Sequence, residues 1–367
     1  MKVMTILGTR PEIIRLSLII EKLDRYCNHV VVHTGQNFDD NLSSIFFTDL
    51  GLRQPDYYLG VRANTFGEQI GKIITETEKV ILSEKPERIL ILGDTNSGLA
   101  SIVAERMEIP VFHMEAGNRC FDRRVPEEVN RKIIDHCSTI LLPYVYRSKE
   151  NLLNEGISNE AIYVIGNPIY EVIKHYSKQI ESSKILSKLA VQPQKYFLVT
   201  MHRAENVDDE DRLKSILLGL DKISKQYKSP TICSLHPRTR SKIEQFNLKI
   251  DNKANIFSAP FGFFDFVALE KNALCVITDS GTVQEECCIL GLPNITIRDV
   301  TERPETIESG SNMLASISPD LMLRAVEVAL TEKHHWEPPA GYLDSNVSSK
   351  VVKIILGYLR NTGDELV

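Results

Sequence analysis

Ile109-Pro-Val-Phe-His113-Met-Glu-Ala-Gly-Asn-Arg-Cys-Phe-Asp-Arg-Arg-Val-Pro126-Glu-Glu-Val-Asn-Arg131 runs from a short apolar stretch, through a charged segment, to a proline followed by two acids. The apolar stretch reads as a buried strand. Pro126 suits the first position of a helix, with Glu127 and Glu128 in its first turn. A strand that passes through a loop into a helix is one step of an α/β chain. In open α/β sheets the C-terminal strand edge is where ligands bind. Glu115 and the arginines around it therefore occupy a candidate ligand edge. Read alone, the stretch is equally a solvated charged loop before a capped helix.

Working outward, the same alternation recurs. Val3 to Leu7 is a strand, Gly8-Thr9-Arg10-Pro11 a turn, and Ile13, Ile14, Leu16, Leu18, Ile19 and Leu23 give the next helix its apolar face. Strands follow at Val30 to Val32, Arg88 to Asp94, Thr139 to Leu142 and Ile162 to Ile165, with helices around Leu42 to Leu50, from Phe66 to Leu82, and one capped by Thr95-Asn96-Ser97 that runs to Met107. From Pro168 to Gln192 the pattern changes, with one helix expected from Tyr170 to Ile180. A second series then starts at Phe197 and continues at Thr231, Asn255 and Leu274, with a helix opened by Ser318 and Pro319. The order predicts two doubly wound parallel sheets: an α/β chain of two Rossmann-like domains, residues 1–170 and 171–345. A closing helix, residues 346–367, is expected to pack back on the first domain.

Composition narrows the classes. At 367 residues the chain exceeds one ordinary core. A net charge of -6 with interspersed signs argues against nucleic acid as a partner. Seven scattered cysteines without a C-x-x-C pair argue against a disulfide framework or zinc site and fit a reducing cytosol. The N-terminal apolar run is too short for a signal peptide, and no run reaches 18 apolar residues, so membrane insertion is not expected.

Several strand ends carry chemistry. Gly8-Thr9-Arg10-Pro11 is not G-x-G-x-x-G, so no dinucleotide cofactor is indicated. By itself it reads first as a tight turn, although Arg10 could fork onto a phosphate. Asp279-Ser280-Gly281 ends a strand and opens a helix whose free N–H groups suit a phosphate. Glu286, about one and a half turns on, is placed to reach ribose hydroxyls. Gly93-Asp94-Thr95, His202-Arg203 and His236-Pro237-Arg238 also follow strands, where a lone Asp or His is usually a cap. Five such sites in two domains predict an interdomain cleft, with carboxylates from the first domain and phosphate-binding groups from the second.

In order, Gly8-Thr-Arg-Pro-Glu12, Thr34-Gly-Gln36, Gly93-Asp-Thr-Asn96, Glu115-Ala-Gly117, Pro126-Glu-Glu128 with Asn130-Arg131, His202-Arg203, Asp279-Ser-Gly281 with Gln284-Glu-Glu286, and Thr301-Glu-Arg-Pro304 resemble the non-hydrolysing UDP-N-acetylglucosamine 2-epimerases. The resemblance covers nearly the whole chain. It implies a GT-B arrangement, a cytosolic homodimer, a UDP-sugar substrate, and no metal or nicotinamide cofactor. It assigns Asp94, Glu115 and Glu127 as acid/base residues and His202 as a catalytic group which, with Arg10, stabilises UDP. Ser280, Gly281 and Glu286 would hold the nucleotide, with Arg15, Arg131, His236 and Arg303 also on the UDP-sugar. Arg15 stands where the common branch has lysine. The loop from Glu115 to Glu127 is shorter, with Val125 before Pro126 in place of an aromatic. In these features the chain is similar to the branch that makes UDP-N-acetyl-L-fucosamine from UDP-2-acetamido-2,6-dideoxy-L-talose for capsule or O-antigen synthesis.

The sugar C2–H has no adjacent carbonyl, so direct deprotonation is too costly. Elimination of UDP across C1–C2, followed by protonation of the glycal on the other face and return of UDP, avoids that cost. A GT-B glycosyltransferase, a hydrolysing epimerase and a non-catalytic nucleotide-sugar sensor are the competing readings. The first needs an acceptor, the second releases UDP, and the third has no use for the carboxylates.

Overall fold

A computed structural model of the chain describes residues 1–35, 46–63, 65–248, 254–332 and 335–358. It divides into two compact units. One comprises Met1–Asn118, Pro126–Val172 and Asp344–Val367, and the other Arg119–Val125 and Ile173–Leu343.

The first unit is built on six strands: β1 (Lys2–Leu7), β2 (Asn28–His33), β3 (Tyr57–Tyr58), β4 (Arg88–Leu92), β5 (Val111–Met114) and β6 (Ile140–Leu142). They pair in parallel in the order β3-β2-β1-β4-β5-β6. The second holds β7 (Phe197–Met201), β8 (Thr231–Leu235), β9 (Asn255–Ser258), β10 (Cys275–Thr278), β11 (Asn294–Thr296) and β12 (Asn312–Leu314), ordered β12-β11-β10-β7-β8-β9. Counted within each unit, both sheets have the Rossmann order. The chain thus has the expected two-domain α/β fold of the GT-B-like kind. Each sheet reverses its winding beside its first strand, between β1 and β4 and between β7 and β10. Strand ends at such switch points open a crevice for ligand.

Burial explains why these segments are strands. Met4, Ile6, Val32, Ile89 and Ile91 pack in one apolar cluster of the first unit, and Phe197, Val199, Cys233, Cys275 and Ile277 in one of the second. Strands covered on both faces read as continuous apolar runs. Cys287 and Cys288, on the helix Gly281–Leu290, are buried too, whereas Cys27, Cys120 and Cys137 are half-buried.

The helix Val347–Gly357 packs against the helix Arg10–Tyr26 within the first unit. Val351 and Ile355 are fully buried there, and Lys22 donates to Ser348 Oγ and Ser349 Oγ at 2.6 and 2.7 Å. Glu171 caps the helix, accepting from the Ser348 N–H at 2.8 Å.

Three details differ from the sequence reading. Ile162 to Ile165 is no strand. Tyr163 and Ile165 donate to Leu141 and Pro143, but only an isolated bridge forms, because Gly166 and Pro168 turn the chain into the next helix. The helix expected from Tyr170 to Ile180 is two, Pro168–His175 and Ser177–Glu181, broken where the Tyr176 ring turns in against Phe263 and Phe264. β3, β11 and β12 were not expected. Gln36 and residues 42–45 of the expected helix at Leu42 to Leu50 lie outside the described residues, while residues 46–49 are helical.

Candidate active site

In the first unit the switch point is knitted by Glu12. Its Oε2 accepts from the N–H groups of Gly8 and Thr9 at 2.8 and 2.6 Å and from Thr9 Oγ1 at 2.8 Å, and its Oε1 from Thr95 Oγ1 at 2.8 Å. Glu12 thereby ties the turn after β1 to the turn after β4. Burial pushes its carboxyl up to about 7, against the opposing pull of these hydrogen bonds. Arg10, at the start of the same helix, lies with its guanidinium carbon 5.3 Å from the centre of the Phe46 ring.

Asp94 and Glu115 leave neighbouring strand ends, since Leu92 of β4 pairs with Met114 of β5. Each carboxylate meets a buried arginine. Arg131 donates to Asp94 Oδ2 through Nε at 3.2 Å and Nη2 at 2.9 Å, and to Glu128 through Nη1 at 2.8 Å. Arg15 donates from Nη1 to Glu115 Oε2 at 3.2 Å and lies 5.8 Å from the Tyr144 ring centre. Arg131 and Arg15 are only 2% and 1% exposed. Such pairing fixes a carboxylate in orientation. Glu115 has φ 66°, a left-handed backbone that costs a non-glycine residue on the order of 1 kcal/mol or more. Glu127 is half-buried in the first turn of the helix Pro126–His136. Asn130, on that helix, donates to the Asp94 carbonyl and to Asn96 Oδ1, both at 3.0 Å. Gly117 sits at φ 79°, and a Cβ there would fall 2.2 Å from the Ser148 carbonyl oxygen.

In the second unit the fully buried Asp279 organises the turn after β7. It accepts from the N–H groups of His202 and Arg203, each at 3.0 Å, and from Asn206 Nδ2 at 3.3 Å. The rings of His202 and His236 are 5.7 Å apart. His236 caps the helix Pro237–Gln245, its Nδ1 accepting from the Arg238 N–H at 3.2 Å, which makes Nε2 the protonated nitrogen of the neutral ring. Ser280 stands at the N-cap of Gly281–Leu290, with its Oγ on Thr282 Oγ1 at 3.0 Å and not on a helix N–H. A Cβ on Gly281 would meet Glu302 Oε1 at 2.6 Å, and that carboxylate is gripped by Arg298 at 2.6 Å and Arg203 at 3.1 Å. Arg303 is buried and bonds Glu285. Glu286 is buried beside Glu270, whose carboxyl is held well above the usual range by burial and by the Glu286 charge.

The family model described as UDP-N-acetylglucosamine 2-epimerase matches residues 21–356. The chain belongs to the UDP-N-acetylglucosamine 2-epimerase family. A Methanocaldococcus jannaschii protein named UDP-N-acetylglucosamine 2-epimerase is 43% identical over 364 residues, covering 97% of this chain and 99% of the relative. The solved M. jannaschii UDP-GlcNAc 2-epimerase in complex with UDP-GlcNAc and UDP superposes with TM-score 0.93 at 42% identity, covering 98% of this chain and 100% of that one. A Pseudomonas aeruginosa protein named UDP-2,3-diacetamido-2,3-dideoxy-D-glucuronate 2-epimerase is 38% identical over 334 residues, covering 90% of this chain and 92% of the relative. By membership in this epimerase family the chain is an isomerase.

Among the described residues, those to which the epimerase resemblance assigns a role lie at or just beyond a strand end, or on or at the cap of the helix that follows. Arg10, Arg15, Asp94, Glu115, Glu127 and Arg131 lie in the first unit, and His202, His236, Ser280, Gly281, Glu286 and Arg303 in the second; of these, Arg131 meets Asp94, Arg15 meets Glu115, and the His202 ring lies beside that of His236. Sequence reasoning gave no role to Glu12, although Thr9 three residues before it is the signature of a capping box. It also missed His113, Asp135 and Glu270, whose partners are distant in the chain. Among the described residues no helix is long and apolar enough to cross a membrane.

Proposed function

We propose that this chain inverts C2 of a UDP-N-acetylhexosamine by reversible elimination of UDP. One carboxylate takes the C2 proton as the C1–O bond breaks, and the electron pair of that bond leaves with UDP. An acid on the opposite face then protonates C2 of the glycal, and a UDP oxygen closes again on C1. The observation that carries this reading is the pair Asp94 and Glu115, on loops leaving adjacent strands, each held by its own buried arginine. A pre-oriented acid/base pair is what C2 inversion asks of an enzyme. In this reading residues 1–170 supply the acid/base chemistry, with Glu127 as third carboxylate, and residues 171–345 bind UDP. The Gly281 N–H at the helix start, with Ser280 and His202, receives the diphosphate, and Glu286 the ribose. The cytosolic homodimer implied by the resemblance is part of the proposal, and a sedimentation mass of one chain would remove that part.

UDP-GlcNAc is the first substrate to try, because the M. jannaschii relative carries that name. The P. aeruginosa relative, at nearly the same identity, is named for a different UDP-sugar, so likeness at this level leaves the hexose open. The second reading is the UDP-2-acetamido-2,6-dideoxy-L-talose derivative, favoured by Arg15 on Glu115 and by the short loop that leaves Phe121 73% exposed. Turnover of both sugars by one preparation in D₂O tests the whole proposal. Deuterium should appear at C2 of the product, and the true substrate should lead the other by at least about 10²-fold in kcat/KM. Epimerised product free of solvent deuterium would sink the elimination.

A further inference from the structure

We infer that the buried pair His113 and Asp135 is a positioning couple that sets the placement of Asp94 relative to Glu115. The inference rests on the acid/base reading above. His113, on β5, is fully buried, and so is Asp135, on the helix Pro126–His136. His113 Nε2 lies 2.9 Å from the Gly93 carbonyl oxygen. A carbonyl oxygen only accepts, so Nε2 carries a hydrogen. Nδ1 is hydrogen-bonded to Asp135 Oδ1 at 2.8 Å, and Asp135 Oδ2 accepts from the Gly117 N–H at 3.2 Å.

The ends of this chain of bonds give it meaning. Gly93 immediately precedes Asp94, and Gly117 follows Glu115 by two residues. The bonds run from the peptide behind one carboxylate, through imidazole and carboxylate, to the turn behind the other. The bland alternative is a core histidine that merely satisfies its ring nitrogens. Such a histidine has no reason to bridge both carboxylate-bearing turns.

The helix that carries Asp135 strengthens the reading. Glu127, Arg131 and Asp135 are spaced four residues apart and share one face. Arg131 bonds the Asp94 side chain while Asp135 bonds the turn after Glu115. One rigid element therefore registers both loops and carries the third carboxylate. His113 and Asp135 bond other protein groups and act through them, which makes them positioning residues.

The test uses the full chain with His113→Asn, Asp135→Asn and the double variant. Active chains are counted by UDP binding, and initial rates are taken in D₂O. Two quantities are read: kcat per UDP-binding chain, and the ratio of C2 deuterium in recovered substrate to that in epimerised product. The ratio is internal to each turnover, so loss of folded protein does not move it. Displacement of one face's group relative to the other should lower kcat by about 10-fold or more, in line with the cost of angstrom-scale misplacement. KM should change by less than about 3-fold, and the ratio should shift by at least about 3-fold. The double variant should be no worse than the poorer single, because the residues act as one unit. Asp135→Asn preserves shape and keeps the test open should His113→Asn fold poorly. An unchanged ratio, with activity falling only in step with UDP-binding chains, would overturn the inference alone. A wild-type enzyme that incorporates no deuterium would overturn the elimination and this inference together.

Discussion

Glu12 shows how a residue that touches neither sugar nor nucleotide in the proposed reading can still set the pH response of the fold. Its carboxyl titrates at about 7 when folded, above the ordinary 4.5. Between those values the folded chain holds a proton that the unfolded chain has released. Stability must then decline as pH rises from 4.5 to about 7 and level off beyond, by roughly 3 kcal/mol in total. Glu12→Gln imitates the protonated acid, its amide able to donate to Thr95 while its carbonyl accepts from Gly8 and Thr9. The melting temperature of this variant should fall less than that of wild type between about pH 5 and about pH 8, and parallel curves would refute the assignment. Asp94→Asn and Glu127→Gln should each lower kcat by at least about 10²-fold while UDP affinity by calorimetry stays unchanged. Loss of UDP binding in either would move that residue out of the acid/base set. The motif positions of these side chains were legible because strand ends and helix starts leave local marks. Their partners were not. Arg15 lies 100 positions from Glu115 and Arg131 lies 37 from Asp94, separations at which only the folded sheet brings groups together.

At the scale of elements, the sequence was most readable where periodicity was long. The helix from Val347 has an apolar face that announces its burial, and its return to the first domain was expected, but the pattern does not say which element receives it. Its seat on the helix Arg10–Tyr26 buries Ile355 completely. Ile355→Ala should therefore cost about 2–5 kcal/mol, read as a lower urea midpoint with unchanged slope. A cost below about 0.5 kcal/mol would mean that the helix is not integral to the first unit. The strands that escaped notice, β3, β11 and β12, have only two or three residues each. A period of two cannot declare itself over so short a run. Ile162 to Ile165 failed for the opposite reason: apolar composition invites a strand, but Gly166 and Pro168 redirect the backbone before a ladder can form.

For the whole molecule, the repeated strand–helix order was enough to foresee two Rossmann-like units, because each right-handed crossover constrains the next. Contiguity hid one matter. Arg119–Val125 belongs to the second unit although the residues on both sides belong to the first. Membership of this kind is a property of packing and leaves no mark on composition. The distribution of cysteines has a practical consequence. All four buried thiols, Cys233, Cys275, Cys287 and Cys288, lie in the second unit. Burial pushes Cys233 up to about 12 and raises Cys287 and Cys288 as well. Alkylation requires an accessible thiolate, so these four are silent until their surroundings open. A pulse of iodoacetamide followed by peptide mass spectrometry should mark Cys120 within the first time points and the four buried sites later, at one shared rate. Early labelling of any single buried site would reveal a local breach. The thiols amount to an internal stopwatch for the opening of the second unit, readable with and without UDP, and already written into the natural sequence.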